Sequence, residues 1–284
     1  MFRSAAPAGR TAPARLRVNG AWRRTFGAAS DSAGDPALRA YAADMLRPYG
    51  LDLAEDKLTE GQSYGEMAAA LLARELAAQA PVDLLVFAFA VPDVAPWRAT
   101  ACYLSHLCPG QPFAFAVCDQ GVVAPFTALR LIREYTSTGG CRRALLIVAE
   151  QAAMPYEQAG TTPAVTPASH AVVAVLFERG EPGVPGRLEH VGLHASLTRS
   201  QAGRLVADAA AGLPGTPTTV VGTGLAGEDQ TACLPGRVIV APPEQPSTGV
   251  WWELAAGLAG TVLLADYDPG LGHLGLAVIE IPGE

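Results

Sequence analysis

Two side chains in this sequence lie where nucleophilic or acid–base chemistry is conceivable. Cys118 follows the apolar run FAFAV (113–117) and precedes a segment that begins with Pro125 and has the pattern of a helix. A thiol near the start of a helix is favoured as the thiolate, the form that attacks a thioester. His170 opens another apolar run, and histidine is suited to act as a base near neutral pH. Both are catalytic candidates, although an inert buried thiol and a strand-capping imidazole are the structural alternatives.

Four further residues are candidates for binding a substrate. Gly222, Thr223 and Gly224 form a short loop after an apolar run, and ligand sites of α/β proteins cluster at the C-terminal ends of strands. Trp251 begins a predicted helix, where an indole either lines a pocket or packs in the core. The sequence alone leaves these two roles of Trp251 open.

The composition excludes several classes of partner. Half of the 284 residues are hydrophobic, which is enough for a large core. The net charge is −7, and no segment combines clustered Lys or Arg with aromatic residues, so we expect no nucleic acid and no membrane as partner. The five cysteines form no CxxC pair, so we expect reduced thiols in a cytoplasmic protein, with no metal and no cofactor. The N-terminus has no apolar signal core, and its first dozen residues are expected to be loose.

The chain contains one pattern of strands and helices twice. Each half has two apolar runs, a helical segment and two more apolar runs, as expected of strands covered on both faces. The order predicts an α/β protein with an N-terminal half at 1–183 and a shortened C-terminal half at 184–284. The predicted elements are strands 82–90, 113–117, 142–150 and 170–180 with a helix from 125 in the first half, and strands 218–224, 237–242, 261–268 and 273–283 with a helix at 251–260 in the second.

Particular stretches of this pattern resemble β-ketoacyl-acyl-carrier-protein synthase III, a member of the thiolase superfamily. They are SYGEMAAALLARELA (63–77), the segment 81–117, ALRLIREYTSTGGCRRALLIVAEQ (128–151) and VVGTGLAGED (220–229). The resemblance covers residue 63 to the C-terminus. It implies a thiolase fold with α-β-α-β-α layers, a dimer joined through the strand 113–117, and acyl-carrier protein or acyl-coenzyme A as a partner.

The catalytic residues that the resemblance implies are absent. The nucleophilic Cys would stand at Gly121 or Val122, and the first His at Val221 or Gly222. The second His or Asn would stand in the loop at Ser247 and Thr248. None of these six residues is a Cys, a His or an Asn. A decarboxylative condensation by this chain alone is therefore not expected.

Gln120 is a further candidate, because the chain-length factors that pair with polyketide synthases often carry Gln in place of the nucleophile.

Three hypotheses about the function follow. The chain is a non-condensing partner or acyl-chain-handling subunit, paired with an intact ketosynthase or with itself, in a bacterial fatty-acid-like or polyketide-like pathway. Alternatively, it is an atypical acyltransferase that uses Cys118, Gln120 or His170 without decarboxylation. The third hypothesis is a pure scaffold that binds no ligand.

Overall fold

The computed structural model describes residues 15–27, 29, 35–76, 79–95, 97–153, 156, 166–180 and 186–283. Within them the chain forms two five-stranded sheets. The first sheet contains β1 (Arg15–Phe26), β2 (Leu84–Ala88), β3 (Phe113–Val117), β4 (Arg143–Glu150) and β5 (His170–Gly180). The second contains β6 (Leu188–His194), β7 (Thr218–Val221), β8 (Arg237–Val240), β9 (Gly260–Asp268) and β10 (His273–Ile281).

The two sheets have the same topology. Their strand orders are β1-β5-β4-β2-β3 and β6-β10-β9-β7-β8, so each strand of the first sheet has a counterpart five strands later. In both sheets the second strand along the chain pairs in parallel with its two neighbours. The remaining pairs of both sheets are antiparallel. The predicted repetition of strands in one order is therefore confirmed, whereas the boundary at 183/184 stays a prediction.

Eight α-helices of the described residues complete five layers. They are α1 (Pro36–Leu46), α2 (Glu55–Thr59), α3 (Tyr64–Glu75), α4 (Thr100–Leu107), α5 (Ala124–Ser137), α6 (Arg199–Ala211), α7 (Glu228–Thr231) and α8 (Gly249–Leu254). The central layer contains α5 and α8, whose apolar side chains pack against both sheets. Helices α3 and α4 cover the outer face of the first sheet, and α6 covers that of the second. The predicted α-β-α-β-α arrangement is confirmed.

Several predicted boundaries were wrong. The run 82–90 is a strand only at Leu84–Ala88, and 218–224 is a strand only at Thr218–Val221. The predicted helix at 251–260 is α8, which begins at Gly249 and ends at Leu254, before Gly257 turns with a φ of 92°. The first strand of each half, β1 and β6, was not predicted, because both are edge strands in which Arg or His interrupts the apolar pattern. The first dozen residues, which were predicted to be loose, lie outside the described residues.

Candidate functional site

A strained turn joins β3 to α5 at the position predicted for the nucleophile. Asp119 has a φ of 60° and Gly121 a φ of 55°, and the left-handed region is uncommon for a residue other than glycine. Residues Gly121–Val123 then form one 3₁₀ turn that leads into α5. The chain thus reverses sharply between the buried end of β3 and the helix in the central layer.

Asp268 occupies the space next to Gly121. A Cβ atom on Gly121 would lie 1.8 Å from Asp268 Oδ2, so no larger residue fits unless this carboxylate moves. The backbone N–H of Val122 donates to the same oxygen at 3.3 Å. The other oxygen, Oδ1, accepts from the N–H groups of Gly270 (2.9 Å) and Leu271 (3.0 Å). A hydrogen-bonded carboxylate therefore lies where the resemblance implies a reactive thiol.

Asp266 has the corresponding relation to Gly222. A Cβ on Gly222 would lie 1.9 Å from Asp266 Oδ1, which also accepts the N–H of Tyr267 at 3.0 Å. The carboxyl group is fully buried, and its Oδ2 has no hydrogen-bond partner among the described residues. Burial raises the pKa of Asp266 well above its ordinary value, and the nearby carboxylates of Glu150 and Asp268 raise it further. Asp266 is thereby favoured in its protonated form.

Glu150 contacts the loop where the resemblance implies the second His or Asn. It ends β4, is fully buried, and accepts the N–H groups of Ser247 (2.9 Å) and Thr248 (3.2 Å) together with the Thr248 hydroxyl. Burial raises the pKa of Glu150 to about 7, although these three hydrogen bonds favour the carboxylate and lower it. Because side chains alternate along a strand, Glu150 points, like Leu146 and Val148, into the central layer.

Three carboxyl groups thus converge on the three places where the resemblance implies Cys, His and His or Asn. Condensation needs hydrogen-bond donors directed at a developing oxyanion. Here the Val122 amide already binds a carboxylate, and the Ser247 and Thr248 amides bind another. The sequence reasoning missed these acids. The sequence feature that could have revealed them is an acidic residue at the end of each of the apolar runs LLIVAE and VLLADYD, together with glycines at 121 and 222.

Cys118 and Gln120 lie at the turn but outside this carboxylate cluster. The thiol of Cys118 is partly exposed and donates to Asp119 Oδ2 at 3.2 Å. Burial, and then the Asp119 carboxylate, raise the pKa of this thiol, so the thiolate is disfavoured. The side-chain oxygen of Gln120 accepts the Thr127 hydroxyl. Gln120 and Thr127, but not Cys118, line a cavity of about 150 Å³ together with His194 and His273.

The remaining candidates are dispersed. His170 is half-buried, its Nδ1 accepts the N–H of Ala152 at 3.3 Å, and burial lowers its pKa. Trp251 is fully buried in the central layer, where its ring centroid lies 5.2 Å from that of Phe126. Gly222 begins a 3₁₀ turn at Thr223–Leu225, and a Cβ on Gly224 would meet the Tyr267 carbonyl at 1.9 Å. The structure therefore brings Gly222 to the carboxylate cluster and places Trp251 in the core.

Two kinds of feature are absent from the described part of the chain. No group of three His, Cys, Asp or Glu side chains is arranged to hold a metal ion. No helix is both long and apolar enough to cross a membrane.

Comparison with solved structures identifies the architecture. AbyA1, a tetronic acid condensing enzyme, is similar over 93% of this chain and 99% of its own, with a TM-score of 0.63 and 18% identity. 3-Oxoacyl-[acyl-carrier-protein] synthase III from Aquifex aeolicus is similar over the same shares, with a TM-score of 0.62 and 15% identity. ChlB3, named as an acyltransferase, is similar over 94% of this chain and 98% of its own, with a TM-score of 0.58 and 17% identity.

These likenesses and the two matching sheets define the class: the chain has the thiolase fold. Its structural neighbours include synthases of the type III class, as the sequence resemblance predicted. No protein-family model and no curated protein matches the sequence.

Proposed function

We propose that this chain is a non-condensing ketosynthase-like protein that serves as a partner or acyl-chain-handling subunit in a fatty-acid-like or polyketide-like pathway. One observation carries the proposal. Gly121 is one of the two residues implied for the Cys and Gly222 is one of the two implied for the first His, and Asp268 and Asp266 fill the space of their missing side chains. The substitutions are complementary, because each glycine accommodates one carboxylate. A pocket that had merely lost its nucleophile would instead be left as a void.

The chemistry of the filled pocket opposes condensation. Enolate and oxyanion intermediates carry negative charge and are stabilised by donors or cations. Asp268 presents a carboxylate at the helix turn, and Glu150 and Asp266 lie behind it in the buried central layer. A negative charge that develops beside the Asp268 carboxylate would be repelled by it in a region of low dielectric.

The edge of the first sheet supports a partner role. Strand β3 is the edge strand, and its Phe113 is 60% exposed. The rings of Phe113, Phe115 and Tyr135 lie within 6.0 Å of one another, centroid to centroid. An exposed apolar edge strand is a template for pairing with another chain, and a two-fold axis would pair β3 with its equivalent. The partner is an intact ketosynthase or a second copy of this chain.

Light scattering of the chain alone, and of the chain co-expressed with a type III synthase from the same genome, tests the interface. Phe113→Glu places a charge on the β3 edge and should abolish the dimer. Val240→Glu is the matched control, because Val240 is an exposed apolar residue on β8, the edge strand of the other sheet. A wild-type chain that stays monomeric in both samples contradicts the partner role.

Intact-protein mass spectrometry tests the absence of condensation chemistry. The wild-type chain and Cys118→Ala are incubated with acyl-coenzyme A and acyl-carrier-protein donors. We expect no adduct on either, since the pKa of Cys118 is raised. An acyl adduct that is lost in Cys118→Ala would overturn the proposal.

The alternative is an atypical acyltransferase. It is favoured by the likeness to ChlB3, named as an acyltransferase, and by the partial exposure of Cys118. Acyl-carrier protein or acyl-coenzyme A would then be the donor. Multiple-turnover transfer to a small nucleophile, lost in Cys118→Ala, Gln120→Ala or His170→Ala, would favour this alternative. A cytoplasmic location remains our prediction for each of these functions.

A further inference from the structure

A second cavity, of about 370 Å³, lies away from the carboxylate cluster. It is open to solvent on one side and is bordered by α1, α2 and the loop that follows β2. Small-molecule pockets have volumes of roughly 300–1,000 Å³, and this cavity falls within that range.

The walls of the cavity are apolar and belong to a separate small core. Leu38, Ala42 and Leu46 recur at helical spacing and form the buried face of α1. Leu58 of α2 packs against Leu38 and Ala42 in a cluster that is distinct from the main cores of the two sheets. The cavity thus has a rigid apolar lining of its own.

Exposed apolar side chains concentrate at the mouth of this cavity. Of the ten large hydrophobic side chains that are exposed in the described chain, four line it: Tyr41, Met45, Tyr49 and Leu51. A fifth, Trp97, packs edge-on against Tyr41 with ring centroids 6.2 Å apart. Contiguous exposed apolar surface marks binding sites, and the flexible Met45 side chain suits a variable ligand.

The charges around the cavity disfavour an anionic ligand. Among the described residues no Lys or Arg lines it, and Asp93 is its one carboxyl group. Asp93 Oδ1 accepts the N–H groups of Tyr64 and Ala95, both at 3.1 Å, and Oδ2 accepts the Thr100 hydroxyl at 3.2 Å. Asp93 therefore holds the loop after β2 and adds negative potential to the wall. A phosphate or carboxylate would find no counter-ion in the lining.

From the volume, the apolar walls, the exposed mouth and the missing cations, we propose that this cavity binds a neutral, predominantly apolar small molecule. The tyrosine hydroxyls at the mouth provide hydrogen bonds for one polar end of that molecule. The inference does not depend on the function proposed for the carboxylate cluster, because the cavity is formed by other elements.

Fluorescence titration of the full chain with the neutral probe N-phenylnaphthylamine tests the site. We expect a saturable rise that Ala42→Phe weakens by about tenfold or more, because the added ring fills the cavity. Ala40→Phe is the matched control: it introduces the same ring on the same helix, at an exposed position that does not line the cavity. If Ala42→Phe fails to fold, Met45→Glu at the exposed mouth should reduce binding in its place.

Competition with two molecules of equal length tests the charge argument. Decanol should displace the probe at a lower concentration than decanoate at neutral pH, since the carboxylate meets Asp93 and no cation. The proposal is overturned by the absence of a saturable signal, by wild-type binding in both cavity variants, or by decanoate competing as well as decanol.

Discussion

Glu150→Gln should change how the stability of this protein depends on pH. The side chain is fully buried, and its pKa is raised from 4.5 to about 7. Gln has nearly the same shape and keeps one oxygen, which can accept the Thr248 amide and hydroxyl as Glu150 Oε1 does. Its NH2 group cannot accept the Ser247 amide, which donates to Glu150 Oε2, and this loss does not depend on pH. The substitution therefore removes the titration with little loss of packing.

The sign follows from where the proton is bound. Below pH 4.5 both the folded and the unfolded chain hold it, so this group contributes its full stabilisation. Between pH 4.5 and about 7 the folded chain keeps the proton while the unfolded chain releases it, so the free energy of unfolding falls as the pH rises. A shift from 4.5 to about 7 is worth about 3 kcal/mol, and the loss is complete above the folded pKa.

Urea unfolding at a series of pH values measures the effect. The free energy of unfolding of the wild type minus that of Glu150→Gln should fall by about 3 kcal/mol across this window and then level off. Asp266 titrates in both proteins, so its contribution cancels except for the part of its raised pKa that the Glu150 carboxylate causes. Glu253→Gln, on the partly exposed side of α8, is the control for removing one negative charge. A difference that is flat, or that rises with pH, would refute the burial of an uncompensated carboxyl group at Glu150.

Other substitutions at the carboxylate cluster and the turn give further predictions. Gly222→Ala should lower the free energy of unfolding in urea by about 1–3 kcal/mol, because its Cβ meets Asp266. Adding Asp266→Ala to the same chain should restore that free energy. Additive effects of the two substitutions on the free energy of unfolding would contradict this prediction. Gly121→Ala should destabilise as well, but removing its neighbouring carboxylate should rescue it only in part, because the φ of 55° remains strained for alanine. Iodoacetamide should alkylate Cys118 more slowly than the exposed Cys102, because the pKa of the Cys118 thiol is raised. Peptide mass mapping measures both rates. Equal rates would contradict the proposed effect of Asp119 on the Cys118 thiol.

The apolar runs were good predictors of strands for a physical reason. Strands β2, β4, β5, β9 and β10 are covered on both faces by helices, so most of their side chains are apolar and the polar ones lie mainly towards the strand ends. Their recurrence in one order was sufficient to predict two equivalent sheets. In contrast, β1 and β6 lie at sheet edges, where alternate side chains reach solvent and Arg or His is tolerated.

From the sequence, the candidate site was predictable only as a set of positions that lack the catalytic residues that the resemblance implies. The resemblance located Gly121, Gly222 and the loop at Ser247 and Thr248, and whether these positions correspond to the family's catalytic ones stays a prediction. The carboxyl groups that lie at these positions could not be predicted. An acidic residue at the end of an apolar run, such as Glu150, indicates a strand end that is exposed to solvent. In the structure the Glu150 side chain is buried instead, because a loop packs against the end of its strand. The sequence does not show which loop does so.

The sequence by itself determined the periodicity of the chain, and with it the layers and the two sheets, and it showed that neither residue 121 nor residue 122 is a Cys. Only the tertiary structure decided what fills the space left by two glycines, since Gly121 meets Asp268 and Gly222 meets Asp266 across about 147 and 44 residues of chain. The local sequence pattern indicates which face of a helix or strand is apolar. The protonation of a buried carboxyl group depends instead on desolvation and on neighbours that folding alone brings together.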